Sequence, residues 1–172
     1  TNFDGNISIE YLEKKLIKSK KINKLPKAII VVHFAGLSCD MIKIHQLSKK
    51  YKFKIIEDAS HAAGSKYMNS KVGSCKYSDL CVFSFHAIKS ITTGEGGAVL
   101  TNNKNYDERV KLLRSHGINK NKKNFYDKSK TNYDWYYEAT DISFNFRLTD
   151  FQCALGVSQL KRLEKFINKR RL

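Results

Sequence analysis

No apolar run in this chain approaches the length needed to cross a bilayer. The opening stretch TNFDGNISIEYLEKKL has neither the basic leader nor the apolar core of a secretion signal, and it lacks an initiator methionine, so it reads as starting mid-domain. The four cysteines, Cys39, Cys75, Cys81 and Cys153, form no CxxC pair and have no histidine at metal-ligand spacing. A zinc centre is therefore not expected, and free thiols fit a reducing cytoplasm. No GxxxxGK[ST] occurs, which excludes a P-loop. Internal repeats and Gly/Ser linkers are absent too, so 172 residues make one domain or part of one. Acidic residues are scarce, 16 against 32 lysines and arginines, leaving a net charge of +16. Such a balance attracts polyanions. The lysines, however, fall in short clusters (KSKKINK, NKNKKN, KRLEKFINKRR) that read as solvated faces, and no arginine-rich stripe interleaves with aromatics. Neither a nucleic acid nor a membrane is an expected partner.

What is present alternates between two periodicities. NISIEYLEKKLIKSK places Ile9, Leu12, Leu16 and Ile17 at helical spacing with Ser8 as N-cap. Pro26 ends a linker, and KAIIVVHF follows as the β-branched run of a strand covered on both faces. Asp40 caps a second helix carrying Met41, Ile44 and Leu47, and FKIIED is a second buried strand. Strand, helix and strand in this order predict a βαβ unit with parallel strands. The small-residue stretch ASHAAGSKYMNSKVGS reads as loop or short helix, and DLCVFSF as a third strand. GGAVLT comes too soon afterwards for a helical crossover and should pair antiparallel. A helix is expected over 103–116 with Gly117 as its C-cap, then a long mobile loop over NKNKKNFYDKSKTNYDWYYEATD. One amphipathic helix follows a Thr/Asp cap, marked by Phe151, Leu155, Leu160, Leu163 and Ile167.

In open α/β sheets ligands bind beyond the carboxyl ends of the strands. Three polar groups fall there: Asp58 closing FKIIED, Ser84 near the end of DLCVFSF, and Lys89 in the loop SFHAIKSITTGEGG. An acid, a hydroxyl and an amine at neighbouring strand ends match the needs of pyridoxal phosphate: an amine for its aldehyde, a carboxylate for its ring nitrogen, a donor for its phosphate. Spacing alone leaves a solvated lysine as the alternative.

The stretches IIEDASHAAGS, VFSFHAIKSITTGEGGAVLTN, LLRSHG and SFNFRLTDFQCALGVSQLKRLE, in that order over residues 54–165, resemble successive signatures of the fold type I sugar-nucleotide aminotransferases of the DegT/StrS group. The resemblance implies an α/β fold, the three-layer large domain of pyridoxal-phosphate-dependent transferases, with a mostly parallel sheet and one antiparallel strand. Residues 1–172 would be the central to C-terminal part of that domain, without its N-terminal phosphate loop or the C-terminal small domain. It implies pyridoxal 5'-phosphate as cofactor and Lys89 as the catalytic Schiff-base lysine. Asp58 would partner the pyridinium nitrogen and Ser84 the phosphate. Asn145 would reach the phosphate of a neighbouring subunit, making a homodimer with shared active sites. His61 would lie near the cofactor's phenolic oxygen or be a loop histidine, His86 is open between the site and packing behind it, and Arg147 would brace the loop of Asn145. Gly94, Gly96 and Gly97 would serve the backbone turn. The implied reaction moves an amino group from L-glutamate to C4 of a UDP-linked 4-keto-6-deoxy-N-acetylhexosamine, as in pseudaminic acid biosynthesis. Other 4-keto or 3-keto sugar-nucleotide aminotransferases remain alternatives, as does an inactive truncated fragment acting as a basic binding module. Related dehydratases carry histidine where Lys89 stands, which argues against them.

Overall fold

The computed structural model describes residues 1–171. They cluster into two compact units, one formed by Thr1–Asn102 with the segment from Asp150 onward, the other by Asn103–Thr149.

The first unit is built on a four-stranded sheet. Helix α1 (Ile9–Lys21) precedes strand β1 (Ala28–Val32), helix α2 (Met41–Tyr51) and strand β2 (Lys54–Asp58). A hairpin of two-residue strands β3 (Lys66–Tyr67) and β4 (Ser70–Lys71) leads to β5 (Leu80–Ser84) and β6 (Gly97–Leu100). The order is β1-β2-β5-β6. β1 and β2 run parallel from Ala28↔Lys54 to Val32↔Asp58, and β2 and β5 run parallel with Asp58 opposite Val82. β6 is antiparallel to β5, Ser84 lying opposite Gly97. This is the mostly parallel sheet with one antiparallel strand that the sequence implies. The α2 crossover forces the first pair parallel, whereas residues 85–96 are too few to carry β6 back alongside β5 in the same direction.

Alternation along the strands divides the sheet into two faces. On one side Val31 and Ile55 pack under Leu12 and Leu16 of α1 and Met41, Ile44, Leu47 and Tyr51 of α2. Burying each such leucine or isoleucine contributes about 1.5–3 kcal/mol. A smaller cluster joins Ala59, Ala62, Val72, Cys75 and Cys81. On the other side Ile30, Val32 and Val99 remain 63%, 44% and 45% exposed. Both helix starts are capped as expected: Ser8 Oγ accepts from the Tyr11 N–H and Asp40 Oδ1 from the Lys43 N–H. Cys39, Cys75 and Cys81 are buried free thiols, and Cys153 is exposed.

The expected C-terminal helix is two helices, α4 (Asp150–Leu160) and α5 (Leu163–Arg170). Around Lys161 and Arg162 the backbone tightens to an Arg162 N–H to Gln159 O bond, and the Arg162 side chain folds back onto Ser158 Oγ at 3.2 Å. Beyond the break, Leu163 and Ile167 close onto Gly64, where no side chain stands in their way.

The second unit contains α3 (Lys104–Arg114), whose first N–H groups bond Asn103 Oδ1, and a two-residue antiparallel pair, β7 (Ile118–Asn119) with β8 (Glu138–Ala139). Helix α3 stops two residues before the expected end; Gly117, at φ +68°, donates back to Leu112 O at 3.0 Å. The stretch read as a mobile loop is tied together by side chains. Phe125, 2% exposed, meets Tyr136 edge-on at 5.2 Å, and the Glu138 carboxylate accepts from the Tyr126 and Asp127 N–H groups at 2.7 and 2.9 Å.

Candidate active site

The carboxyl ends of β2 and β5 set the site. Asp58 is the last residue of β2 and, in phase with Ile56 rather than with the core residue Ile55, projects to the face opposite α1 and α2. The chain then turns sharply, the Ala62 N–H donating to Ala59 O at 2.8 Å, and the alanines 59 and 62 are fully buried. That turn folds Ser60 back, so Asp58 Oδ1 accepts from the Ser60 N–H at 3.0 Å and from Ser60 Oγ at 2.6 Å. Among the described residues Asp58 Oδ2 accepts no hydrogen bond. The Ser60 hydroxyl, opposed by partial burial and aided by the Ser60 N–H and the charges of His61 and Lys89, lowers the Asp58 carboxyl pKa. The group is a carboxylate at neutral pH, with one oxygen anchored and one available.

The loop from β5 is closed at its base by the Phe85 N–H bond to Gly96 O at 2.8 Å and the Thr93 N–H bond to Phe85 O at 2.9 Å. Its anchors, Ile91 and Thr93, are buried. Lys89 sits in a turn in which its N–H donates to His86 O at 3.0 Å, and its ammonium has no partner among the described residues. Its charge is among the influences that lower the Asp58 carboxyl pKa, and its loop leaves β5, the strand beside β2. Ser84 Oγ accepts from the His86 N–H at 3.3 Å. Gly97 suits only glycine, because a Cβ there would lie 2.7 Å from the backbone oxygen of Phe83 on the paired strand.

His61 is exposed at the mouth of the Asp58 turn, and its charge acts on Asp58. His86 stands 3.6 Å from Glu95. Asn145 belongs to the second unit, where it bridges Ser115 and its side chain accepts from the Arg147 N–H at 3.2 Å. Asp58 and Ser84 thus end adjacent parallel strands, with His61 and Lys89 in the loops that follow them; Asn145 belongs to the second unit. A groove of about 920 Å³ lies in the second unit, but none of these five residues lines it. Two of its four cations are taken, Arg109 by Asp141 and Lys111 by Asp107, while Lys120 and Arg147 also line it. The free amine and free carboxylate oxygen mark the strand ends as the better site.

Sequence reading missed Ser60, the buried polar residues His33 and Glu57 behind the site, and their half-buried partner Ser78. The signal for Ser60 was local: an acid followed two places later by a serine favours a side-chain-closed turn.

The donor set fits pyridoxal phosphate: an ionised carboxylate with a free oxygen suits a cationic ring N–H, an unpaired amine suits an aldehyde, and a hydroxyl suits a phosphate.

A mostly parallel α/β sheet with its reactive polar side chains at the strands' carboxyl ends defines a ligand-binding α/β protein of the open-sheet class. The chain belongs to the DegT/DnrJ/EryC1/StrS aminotransferase family, which matches residues 4–172. It is 46% identical over 168 residues to the UDP-4-amino-4,6-dideoxy-N-acetyl-beta-L-altrosamine transaminase of Campylobacter jejuni, covering 97% of this chain and 40% of that one. Helicobacter pylori PseC, an aminotransferase involved in the biosynthesis of pseudoaminic acid, matches the structure with a TM-score of 0.80 at 42% identity, over 96% of this chain and 39% of its own. Streptococcus pneumoniae Spr1654, solved in its PMP form, gives 0.75 at 25% identity over 96% and 44%. The chain thus spans about 40% of the length of the curated relatives it matches.

Proposed function

We propose that this chain is the part of a pyridoxal-phosphate-dependent aminotransferase that carries the coenzyme's lysine and carboxylate, the whole enzyme transferring an amino group from L-glutamate to C4 of a UDP-linked 4-keto-6-deoxy-N-acetylhexosamine. The observation that carries the chemistry is the pairing of Lys89, its amine free, with Asp58, its outer oxygen free, beyond adjacent strands of one sheet. The substrate rests on the likeness to the Campylobacter jejuni transaminase.

When bound, pyridoxal phosphate supplies an electron sink for the carbon that exchanges its amino group. Asp58 Oδ2 would hold the protonated ring nitrogen, Ser84 Oγ would donate to the phosphate, and His61 would line the side of the phenolic oxygen. Lys89 would be the residue that holds the coenzyme's aldehyde, and its Nζ, when free, would serve as the base at Cα of the amino donor and as the acid at C4 of the sugar. Asn145 serves the phosphate site of the neighbouring subunit in a homodimer. The enzyme works in the cytoplasm, and among the described residues no helix is long and apolar enough to cross a membrane.

The test uses the purified chain, mixed with equimolar pyridoxal phosphate, reduced with borohydride and mapped by mass spectrometry. The coenzyme should be fixed on the Lys89 peptide in preference to all other lysines, and Lys89→Arg should remove the visible-range absorbance. Label scattered over surface lysines, with Lys89 unmodified, would overturn the assignment.

A further inference from the structure

Behind Asp58 lies a polar cluster that the proposed chemistry does not use. Glu57, 5% exposed, projects from β2 toward the α1–α2 side, with fully buried Val31 and Cys81 as its register neighbours on either strand. A carboxylate in an apolar layer is unfavourable unless its oxygens are satisfied. Both are: Glu57 Oε2 meets His33 Nε2 at 2.8 Å, and Oε1 accepts from Ser78 Oγ. His33 is 0% exposed, and its Nδ1 accepts the Cys39 backbone N–H at 3.2 Å. A ring nitrogen that accepts carries no proton, so His33 is protonated at Nε2 and donates to Glu57.

The same histidine extends the β1–β2 ladder to the residue after Glu57. Its backbone N–H donates to Asp58 O at 3.1 Å. The turn that follows it, Phe34–Gly36, abuts the loop of His61: Gly36 O accepts from Ser65 Oγ at 2.8 Å, and a Cβ on Gly36 would stand 2.8 Å from His61 O. One residue thus grips Asp58 by its main chain, grips the preceding residue by its side chain, and leads into the turn that braces the far end of the Asp58–Ser65 loop. Because alternate residues on a strand point to opposite faces, fixing the Glu57 side chain on one face fixes the direction of Asp58 on the other.

We propose that His33, Glu57 and Ser78 form a positioning unit that aims the Asp58 carboxylate at its ligand across the sheet. The ligand in question, the coenzyme ring, rests on the function proposed above. The unit touches no substrate; it acts through Asp58.

Two readouts on the full chain test this. In the coenzyme-free protein, ¹³C NMR follows the titration of the Asp58 carboxyl. His33→Leu should move its midpoint up by roughly half a pH unit or more as Asp58 loses its alignment with Ser60, while His33→Gln, which keeps a donor toward Glu57, should recover most of the shift. With pyridoxal phosphate, His33→Leu should weaken binding about tenfold and alter the visible band, at a temperature where circular dichroism matches wild type. If His33→Leu does not fold, Ser78→Ala, which deletes one donor on Glu57 Oε1, should move both readouts in the same direction by a smaller amount. A folded His33→Leu, or Ser78→Ala in its place, with unchanged Asp58 titration means the cluster serves stability alone and overturns the proposal. Wild-type protein that takes up no coenzyme at Lys89 would instead defeat the function proposed above, and the NMR arm would still decide the role of His33.

Discussion

At the scale of single residues, Asp58 is governed by the serine two places after it. The Ser60 hydroxyl is the largest influence lowering the carboxyl's pKa, ahead of the opposing effect of burial and of the charges on His61 and Lys89. A carboxyl held low in the folded chain contributes stabilisation that is present above its unfolded pKa and fades as pH falls through the folded value. Ser60→Ala should therefore raise the Asp58 pKa toward the ordinary aspartate range and move the acid limit of coenzyme binding upward in pH, as measured by titrating the visible absorbance. An unmoved acid limit would mean that Ser60 does not set Asp58. Asp58, Ser84 and Lys89 were legible because each follows a β-branched or apolar run whose end can be read from composition. His33 and Glu57 were not, since a hydrogen bond between residues 24 apart depends on strand register, and periodicity says nothing about which polar side chains meet. The glutamate in KIIED was the available hint: two places after Ile55 and so on the same face, it had to be buried with a partner or bend the strand outward.

At the scale of elements, helix α2 illustrates how one cap serves two neighbours. Asp40 Oδ1 accepts from the Lys43 N–H at 3.3 Å and from the Tyr67 hydroxyl of the short β3 strand at 2.8 Å. Partial burial pushes the Asp40 carboxyl up, but the Tyr67 hydroxyl and the Lys43 contacts together outweigh it and leave the pKa below the usual value. Asp40→Ala should cost about 1 kcal/mol at neutral pH, the usual penalty for losing a helix cap. Because the folded pKa is depressed, the gap between variant and wild type should shrink as pH falls through it; urea unfolding near pH 7 and near pH 3 measures both arms. The Tyr67 contact was invisible beforehand because β3 and β4 are two residues each, too short for alternation to register. The break between α4 and α5 escaped for a different reason: Leu160 and Leu163 keep a helical spacing, while the tightened turn at Arg162 and the close approach of Leu163 and Ile167 to Gly64 arise only in three dimensions.

At the scale of the whole molecule, the lengths of the connections gave the direction of two strand pairs, β1 with β2 parallel across a helical crossover and β6 antiparallel after a short link, but not the order β1-β2-β5-β6. The division into two units did not follow, since residues 103–149 look like helix plus polar loop, and their centre, Phe125 against Tyr136, depends on a meeting of distant aromatics. The net charge of +16 spreads over exposed lysines, while the exposed apolar side of the sheet carries Ile30, Val32 and Val99. The distribution of sulfur has a practical consequence. Burial pushes the Cys39 thiol up to about 11 and raises Cys81 further, so neither forms a ready nucleophile, and Cys75 is raised the same way. Maleimide should then attach once to the native chain, at Cys153, and at all four cysteines after denaturation. Cys39 lies between β1 and α2 in the larger core cluster, Cys75 and Cys81 in the smaller one, and all three belong to the first unit. If that unit opens as a whole they should surrender together, and timed alkylation read by mass would give adducts of one and four, turning the chain into its own tally of opening events.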